Sequence, residues 1–334
     1  MRHAESVRLG ANGPVLTRLG LGAAAIGGLF EPVPHEEARA VVRRALEIGI
    51  RYVDTAPLYG LGASERLVGE ALAEHPRSSF TLSTKVGRLV RERPAEHESL
   101  PDGMWHVPES VKSVFDFSHD GIRRSFEESL ARLGLDRVDI AFVHDPDDHL
   151  DQAIEVALPA LAKLREEGFV DAIGAGMTNA DALVRIVEAV RPNCVLLAGR
   201  YTLLDQSALA ELLPLCLREG VGVIAGGVLN SGILADPSPG ARFDYLEARQ
   251  PELERAQRAA SVCAAHGVPL PAAALQFALG HPAVVAVLTG VRSVAELELN
   301  VRLFDLDVPA GVWTDLVAQG IVSEAAPHPG TLPA

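Results

Sequence analysis

The chain has 334 residues, of which 48% are hydrophobic and 22% charged, a composition typical of a globular protein and a length that suits one barrel or two small domains. Its 44 acidic and 30 basic residues give a net charge of −14. A charge of this sign disfavours nucleic acids and anionic membranes as partners.

Cysteine usage and the absence of long apolar runs favour a reducing compartment. Cys194, Cys216 and Cys263 lie far apart among apolar residues and form no CxxC pair, so we expect buried, reduced thiols. The start, MRHAESVRLG, has no apolar stretch of signal-peptide length, and no run approaches the roughly 20 apolar residues that span a bilayer. We therefore expect a cytoplasmic protein.

In chain order, short apolar or β-branched runs alternate with longer amphipathic ones. The segment 7–16, with an NGP turn, predicts a hairpin that could close the N-terminal mouth of a barrel. Strands are predicted at 19–23, 51–54, 80–85, 138–143, 170–175, 194–198, 221–225 and 284–288. Helices are predicted at 35–48, 64–73, 119–133, 151–167, 179–190, 206–218, 254–266 and 293–303. Ser118 and Asn179 are candidate N-caps, and Gly49, Gly168 and Gly220 lie where helices should end.

Eight strands alternating with helices predict an α/β fold, a closed (β/α)8 TIM barrel that forms a single domain over residues 1–334. An open doubly wound sheet is the alternative. Such a sheet would normally carry a glycine fingerprint after its first strand, whereas GLGAAAIGG has only loosely spaced glycines. The stretches 86–117 and 235–253 are predicted to be irregular loops on the C-terminal face, where long loops usually cover a site.

Four titratable residues lie at or just beyond the predicted strand ends. Asp54 ends RYVD, Lys85 ends FTLSTK, His144 ends DIAFVH, and Tyr59 follows in the loop APLYG. In a barrel these three consecutive strands bring the side chains to one face. Each residue alone has an ordinary structural explanation: a loop cap, a packed surface aromatic, a solvent-facing lysine or a core histidine. Their joint placement favours an active site.

These four residue types suit proton transfer coupled to hydride transfer. A tyrosine titrates near 10 in water, and we expect the ammonium of Lys85 to lower the pKa of Tyr59 by favouring the phenolate. Asp54 would hold the ammonium in place. His144 would orient the substrate oxygen by hydrogen bonding, so Tyr59 is the predicted acid–base residue.

The runs DTAPLYGLGASERLVGEAL, STK, VHDPDDH and GMTN resemble, in order over residues 15–305, the aldo-keto reductases. The runs FDFSHDGIRRSFEESLARLGLDRVDIAFVHDPDDH, AGRYTLLDQ and GGVLNSGILA are similar to a bacterial sugar-dehydrogenase branch of that family, which includes L-fucose dehydrogenase, D-threo-aldose 1-dehydrogenase and pyridoxal 4-dehydrogenase. The resemblance implies a catalytic tetrad of Asp54, Tyr59, Lys85 and His144.

The resemblance also implies an NAD or NADP cofactor that lies extended across the barrel mouth. Thr178 and Asn179 would hold the nicotinamide carboxamide, and GGVLNSG would bind the pyrophosphate through backbone amides. The full set of implied cofactor-binding residues is Gly22, Ala23, Thr178, Asn179, Gly226, Gly227, Leu229, Ser231, Gly232, Gly290, Arg292, Ser293, Glu296 and Asn300.

Three departures from the family pattern bear on the cofactor. Gly226 stands where an aromatic ring usually stacks on the nicotinamide, and Ala198 stands where a glutamine is usual. The lysine and arginine that surround the 2′-phosphate in NADPH-specific members are replaced by Gly290 and Glu296. A carboxylate there repels a phosphate and can accept hydrogen bonds from a free ribose, which favours NAD, although Arg292 could swing toward a phosphate.

An NAD preference fits oxidation. The expected reaction is removal of hydride from C1 of an aldose, of L-fucose or D-threo type, to give the lactone, with Tyr59 as phenolate accepting the hydroxyl proton. Substrate contacts are expected from the 235–250 loop and from Phe30, Trp105, His106 and Tyr201, the last of which could also support the nicotinamide ring. Oxidation of pyridoxal and general reduction of aldehydes or ketones are the alternatives.

Three other classes of function compete with this hypothesis. A class I aldolase would form a Schiff base at Lys85, but Asp54 would keep that lysine protonated. A cofactor-sensing regulatory subunit would not need a complete tetrad. HDPDDH could be a metal cluster, but Pro146 and the following helix disperse its ligands, so we expect no metal.

Overall fold

The computed structural model describes residues 1–92, 104–106 and 110–331. Its strands are β1 Ser6–Arg8, β2 Val15–Thr17, β3 Leu19–Gly22, β4 Tyr52–Asp54, β5 Thr81–Val86, β6 Arg88–Glu92, β7 Val111–Phe115, β8 Ile140–His144, β9 Ala172–Met177, β10 Cys194–Ala198, β11 Gly222–Gly226, β12 Arg242–Phe243, β13 Leu246–Glu247 and β14 Val284–Gly290. Its helices are α1 His35–Glu47, α2 Ala63–Leu72, α3 His119–Leu133, α4 Leu150–Gln152, α5 Leu158–Glu166, α6 Ala180–Val190, α7 Leu212–Glu219, α8 Gln250–Ala265, α9 Leu270–Phe277, α10 Val294–Phe304 and α11 Ala310–Ala318.

Eight parallel strands close into a barrel in the order β3, β4, β5, β8, β9, β10, β11 and β14, with β14 pairing back onto β3. All eight predicted barrel strands are confirmed with ends within two residues of the expected ones. The closed (β/α)8 barrel is therefore the correct fold class, and the open doubly wound alternative is wrong.

Local sequence signals place most of the outer helices. Ser118 and Asn179 cap α3 and α6, because their side-chain oxygens accept the N–H groups of Gly121 and Ala182. The predicted helix-ending residues Gly49, Gly168 and Gly220 all have positive φ. The helix predicted over 151–167 is divided into α4, a π-helical turn and α5.

The sequence interpretation missed two helices and misassigned two loops. α9 escaped detection because it is almost wholly apolar and all of its residues except Pro271 are buried, so it shows no amphipathic period; α11 was also not predicted. The supposedly irregular stretches 86–117 and 235–253 contain the antiparallel pairs β6–β7 and β12–β13. Residues 93–103 and 107–109 of the first stretch lie outside the described part.

The predicted N-terminal hairpin exists as β1–β2 and closes the bottom of the barrel. Leu9 and Leu16 join the apolar cluster of the barrel interior, with Tyr52, Phe142 and Leu288. Thr17 Oγ1 accepts N–H groups at the start of β4, and Thr81 Oγ1 at the start of β5 donates to the Val15 carbonyl. The hairpin is thus fastened to the N-terminal ends of the strands.

Over the described residues, no single helix is long and apolar enough to cross a membrane. Only α8 together with the segment 270–280 reaches that length and composition, across a bend of 104°.

Candidate active site

The C-terminal mouth of the barrel has a reactive half and an open half. Strand alternation places every second side chain inside the barrel. The last inward residue of each barrel strand, starting from β3, is Gly22, Asp54, Lys85, His144, Gly176, Ala198, Gly226 and Gly290. The three titratable residues come from the adjacent strands β4, β5 and β8, while the other five strands contribute only glycine or alanine. The small residues leave room beside the reactive groups.

Lys85 is at the centre of the reactive half and is 1% exposed. Its Nζ donates to Asp54 Oδ2 at 2.7 Å, to the Thr55 carbonyl at 3.0 Å and to Tyr59 Oη at 3.0 Å. Each of the three N–H groups of the Lys85 ammonium therefore has an acceptor, so this buried charge makes all of its possible hydrogen bonds. It also lies 4.5 Å from the centroid of the Tyr59 ring.

Asp54 is held by a second layer of hydroxyl groups inside the barrel. Ser83 Oγ donates to Asp54 Oδ1 at 2.7 Å, and Tyr52 Oη lies 3.0 Å from the same Ser83 oxygen. Ser83 shares a strand face with Lys85, two residues away, so β5 supplies a partner to each carboxylate oxygen. Ser83 is a site residue that the sequence interpretation missed, although its spacing from Lys85 was visible.

The expected lowering of the Tyr59 pKa is wrong for the protein itself. Burial raises the pKa of the Tyr59 hydroxyl well above its ordinary value, and the negative charges of Asp54 and Asp145 raise it further. Arg88 opposes the shift. The sequence reveals the nearby ammonium but not the removal of the phenol from water. Tyr59 is therefore a neutral phenol at neutral pH.

His144 is a neutral imidazole beside Tyr59. Burial lowers its pKa well below the usual value, and the positive charges of Arg88 and Lys85 lower it further. Its ring meets the Tyr59 ring edge-on, with the centroids 5.9 Å apart. Its Nε2 lies 3.4 Å from Asp145 Oδ2, and its buried Nδ1 has no hydrogen-bond partner in the described part of the chain.

Asp145 and Arg88 form an ion pair at the mouth that the sequence interpretation did not predict. Arg88 donates to Asp145 Oδ2 at 3.0 Å. Asp145 follows His144 directly, in a left-handed backbone conformation with φ 43°. The pair thus provides a charged donor and a charged acceptor next to the tetrad.

Three of the four predicted substrate residues lie together beside Tyr59, and one of them, Trp105, contacts its ring. The Trp105 ring stacks on the Tyr59 ring with centroids 5.7 Å apart. The segment around Trp105 pairs with residues 28–30, where Phe30 N–H donates to the Met104 carbonyl and His106 Nε2 lies 2.8 Å from the Phe30 carbonyl. Phe30, Trp105 and His106 therefore form one side of the mouth.

The fourth predicted substrate residue, Tyr201, does not reach the mouth. Its ring is 2% exposed and packs on Phe277 and His281, and its hydroxyl donates to the Pro327 carbonyl. It is a core residue that fastens the C-terminal segment to the barrel. The expectation that Tyr201 supports a nicotinamide ring or contacts substrate is therefore wrong.

The segment after β11 fits a nicotinamide cofactor's pyrophosphate. Gly227 has φ 62°, and over the described residues the N–H groups of Gly227 and Leu229 have no partner in the protein. Such amides in a tight turn suit an anion. One predicted donor is already engaged, because Gly232 N–H donates to the Leu229 carbonyl. The side chain of Ser231 is also in use, since its Oγ accepts the Tyr245 N–H.

The nicotinamide side of the mouth also fits a planar ring. An added Cβ on Gly226 would make only ordinary van der Waals contacts, at 3.4 Å from Leu196 Cδ2 and 3.8 Å from Ala198 Cβ, so the small residues do not crowd this position. Gly22 lies two strands away along the barrel, next to Gly290 of β14, while the Ala23 N–H is used by the Asp54 carbonyl.

Thr178 and Asn179 lie at the mouth after β9, but the Asn179 side chain has structural partners. Its oxygen caps α6, and its nitrogen donates to Asp147 Oδ1 at 3.2 Å. One amide hydrogen and one lone pair of Asn179 remain for a cofactor carboxamide.

The predicted adenosine end, at the start of α10, is filled with carboxylates. Ser293 caps α10, Glu296 Oε2 accepts the Arg292 N–H at 2.8 Å, and Glu37 Oε1 from α1 accepts the Val294 N–H at 2.9 Å. The Arg292 guanidinium pairs with Glu31 at 2.8 Å and Glu296 at 3.5 Å. Two carboxylates thus already bind the amides that a phosphate would need.

The remaining predicted residues at this end are Gly290 and Asn300. Gly290 is exposed at the end of β14, whereas Asn300 is 9% exposed and donates to Thr289 Oγ1. Among the residues that the structure describes, no group of three His, Cys, Asp or Glu side chains is arranged to hold a metal ion.

Comparisons with known proteins agree with this geometry. The model of the aldo/keto reductase family matches residues 18–318. The chain is 43% identical over 320 residues to D-threo-aldose 1-dehydrogenase of Pseudomonas sp, covering 93% of this chain and 96% of that protein. It is 39% identical over 341 residues to pyridoxal 4-dehydrogenase of Microbacterium luteolum, covering 97% and 99%. The solved structure of a glycerol dehydrogenase from Gluconobacter oxydans has the same fold, with a TM-score of 0.77, 24% identity and 99% coverage of both chains.

Proposed function

The chain belongs to the aldo/keto reductase family and is an oxidoreductase that uses a nicotinamide cofactor, and from this premise we propose that it oxidises aldoses at C1 with NAD⁺. The substrates would be aldoses of the L-fucose or D-threo type, and the product would be the lactone. The resemblance to the family and to its sugar-dehydrogenase branch is confirmed by these matches.

The observation that carries this proposal is the buried chain of contacts from Asp54 through Lys85 to Tyr59 Oη. It fixes one phenol at the mouth, with a neutral imidazole beside it. Such an arrangement suits one proton transfer at one substrate oxygen.

Each member of the tetrad has a separate task. In its phenolate form, Tyr59 takes the proton of the C1 hydroxyl as the C–H bond breaks, and His144 orients that oxygen by hydrogen bonding. Lys85 holds the phenol oxygen in position, and Asp54 balances the charge of Lys85. Bound NAD⁺ would accept the hydride, and its positive ring would favour the phenolate.

Two features support an aldose as substrate. D-threo-aldose 1-dehydrogenase is among the relatives over nearly the whole chain. The mouth also combines aromatic faces, from Trp105 and Phe30, with the polar pair Arg88 and Asp145. Apolar walls with a few placed polar groups are typical of small-molecule sites. Oxidation of pyridoxal is the second candidate, supported by the likeness to pyridoxal 4-dehydrogenase.

The carboxylates at the start of α10 support NAD over NADP. Glu296 and Glu37 occupy backbone amides there, and Arg292 is paired with two carboxylates. A 2′-phosphate would meet like charges at this end, whereas a free ribose hydroxyl could donate to Glu296.

A reduction screen of NAD⁺ and NADP⁺ against aldoses and pyridoxal tests the proposal. Tyr59→Phe should lower kcat at least about 10²-fold, the usual contribution of general acid–base catalysis, while the Kd for NAD⁺ measured by fluorescence stays within about twofold of wild type. The matched control is Tyr201→Phe, which removes a buried hydroxyl away from the mouth. A Tyr59→Phe variant that keeps most of its turnover would refute the assigned role.

Borohydride trapping separates this proposal from the aldolase hypothesis. An aldolase would be labelled covalently at Lys85 in the presence of substrate. The ammonium of Lys85 is engaged by Asp54 at 2.7 Å, so we expect no label.

A further inference from the structure

A short hairpin from the β11–α8 connection reaches the mouth of the barrel. β12 and β13 pair antiparallel, and Asp244 and Tyr245 form the turn between them. Both turn residues have left-handed backbones, with φ 48° and 68°. Residues other than glycine adopt this conformation only where the surroundings hold them in it.

Two contacts hold the turn in place. Arg200, which follows β10, donates to Asp244 Oδ1 at 2.9 Å. Ser231, in the segment after β11, accepts the Tyr245 N–H with its Oγ at 2.9 Å. The position of Tyr245 is therefore set by the same mouth segments that border the open half of the site.

This position puts Tyr245 opposite the arm that carries Trp105. The Tyr245 ring centroid lies 6.2 Å from that of Phe30, and Phe30 belongs to the segment that pairs with the strand of Trp105. Trp105 in turn stacks on Tyr59. The Arg242 guanidinium, 4.6 Å from the Phe30 ring centroid, fastens the two arms together. The cleft above Tyr59 is thus bounded by aromatic rings on both sides.

Tyr245 borders this cleft, with its ring beside that of Phe30. Its side chain is 39% exposed, and burial together with the Asp145 and Asp244 carboxylates raises the pKa of its hydroxyl. Within the described ranges of the chain, Tyr245 makes hydrogen bonds through its backbone N–H and carbonyl, and its hydroxyl has no partner. A polar group placed in a cleft without a protein partner is available to a ligand.

We propose that Tyr245 is a substrate-binding residue that hydrogen-bonds a hydroxyl of the aldose remote from C1 and thereby selects among aldoses. This inference rests on the proposed function. Hydride and proton transfer at C1 occupy the tetrad, so the hydroxyls on the rest of the sugar need other partners. Tyr245 and Asp145 offer a donor and an acceptor above the aromatic walls, which can pack on the C–H faces of the ring.

The test combines Tyr245→Phe with a set of substrate analogues that each lack one hydroxyl. The phenylalanine keeps the ring contact with Phe30 and removes only the hydroxyl. For the parent aldose, KM should rise about 3- to 10-fold, the effect of one hydrogen bond, with kcat within about twofold. For one deoxy analogue, wild type and variant should have the same KM. Leu246→Ala is the control, because Leu246 is the neighbouring residue and is 72% exposed.

Every outcome decides a specific point. If the KM difference between wild type and Tyr245→Phe disappears with one analogue and with no other, the hydroxyl missing from that analogue is the one that Tyr245 bonds, which supports the inference. A KM for the parent aldose that is equal in wild type and Tyr245→Phe overturns it, and so does a rise of equal size with every analogue. If wild type oxidises an aldose but shows no coupling, only the inference fails. If wild type oxidises no aldose, the proposed function fails and the inference fails with it.

Discussion

Removing the negative charge of Asp54 should destabilise the whole barrel, because it leaves the Lys85 ammonium buried without a counter-charge. The two side chains are 2% and 1% exposed, and their charged atoms lie 2.7 Å apart. Breaking a buried pair by removing one partner costs about 3–5 kcal/mol. Asp54→Asn keeps the shape and the possibility of a neutral hydrogen bond, so we expect a loss near the lower end, about 3 kcal/mol.

The assay is the free energy of unfolding from urea denaturation, with Asp151→Asn as the matched control. Asp151 pairs with Arg185 at 2.8 Å, but these side chains are 79% and 58% exposed, so the control should lose about 0–1 kcal/mol. The double variant Asp54→Asn/Lys85→Met removes both charges and should be more stable than the sum of the two single losses implies. If the stability losses of the two single variants sum to that of the double variant, the reasoning is refuted. It is also refuted if Asp54→Asn loses no more stability than the control variant.

Three further predictions concern the cofactor and the proton. Because burial raises the pKa of Tyr59 and only its phenolate can accept a proton, single-turnover oxidation should accelerate as the pH rises from about 7 to 9, by at most about tenfold per unit since bound NAD⁺ lowers this pKa; a flat profile contradicts this. Gly226→Phe places an aromatic ring beside Leu196, where an added Cβ makes only ordinary van der Waals contacts, and should lower the Kd for NAD⁺, measured by calorimetry, about 2- to 10-fold; an unchanged or weaker affinity contradicts it. Glu296→Gln removes a like charge and should tighten NADP⁺ about tenfold, with NAD⁺ within about twofold by the same method; equal effects on both cofactors would contradict the assigned repulsion.

The barrel could be predicted because each of its parts has a local sequence signal. Strand runs such as IAFVH and CVLLA are short, apolar and followed by helical periods. Caps such as Ser118 depend on residues three positions apart. α9 could not be found in this way, since a helix buried on all sides has no polar face to give it a period.

The tetrad could be predicted for a geometric reason, whereas much of its environment could not. The C-terminal ends of barrel strands converge, so Asp54, Lys85 and His144 meet wherever the strands are placed correctly. The location of Tyr245 depends on Arg200 and Ser231, which lie far from it in sequence. No periodicity encodes such a contact.

The electrostatic state of the site also depends on tertiary structure. The sequence reveals which charges are near Tyr59, but the dominant influence on its pKa is burial. The burial of Tyr59 depends on Trp105, which stacks on its ring, and on residues 28–30, which pair with the segment around Trp105. Tyr201 is the opposite case. It follows a strand end, so it was expected at the mouth, but tertiary contacts pack it in the core.

The hairpin at the bottom of the barrel determines where a released proton can go. The hydroxyl and charged groups that support Tyr59 lead inward to the phenol of Tyr52, whose ring lies in the sealed apolar interior with Leu9 and Leu16. Within the described part of the chain, every group along that route is buried. A proton accepted by Tyr59 should therefore reach bulk solvent on the side from which substrate enters, and a bound substrate covers that side. The proton should stay with the enzyme until the product departs, so that its escape and product release become one event.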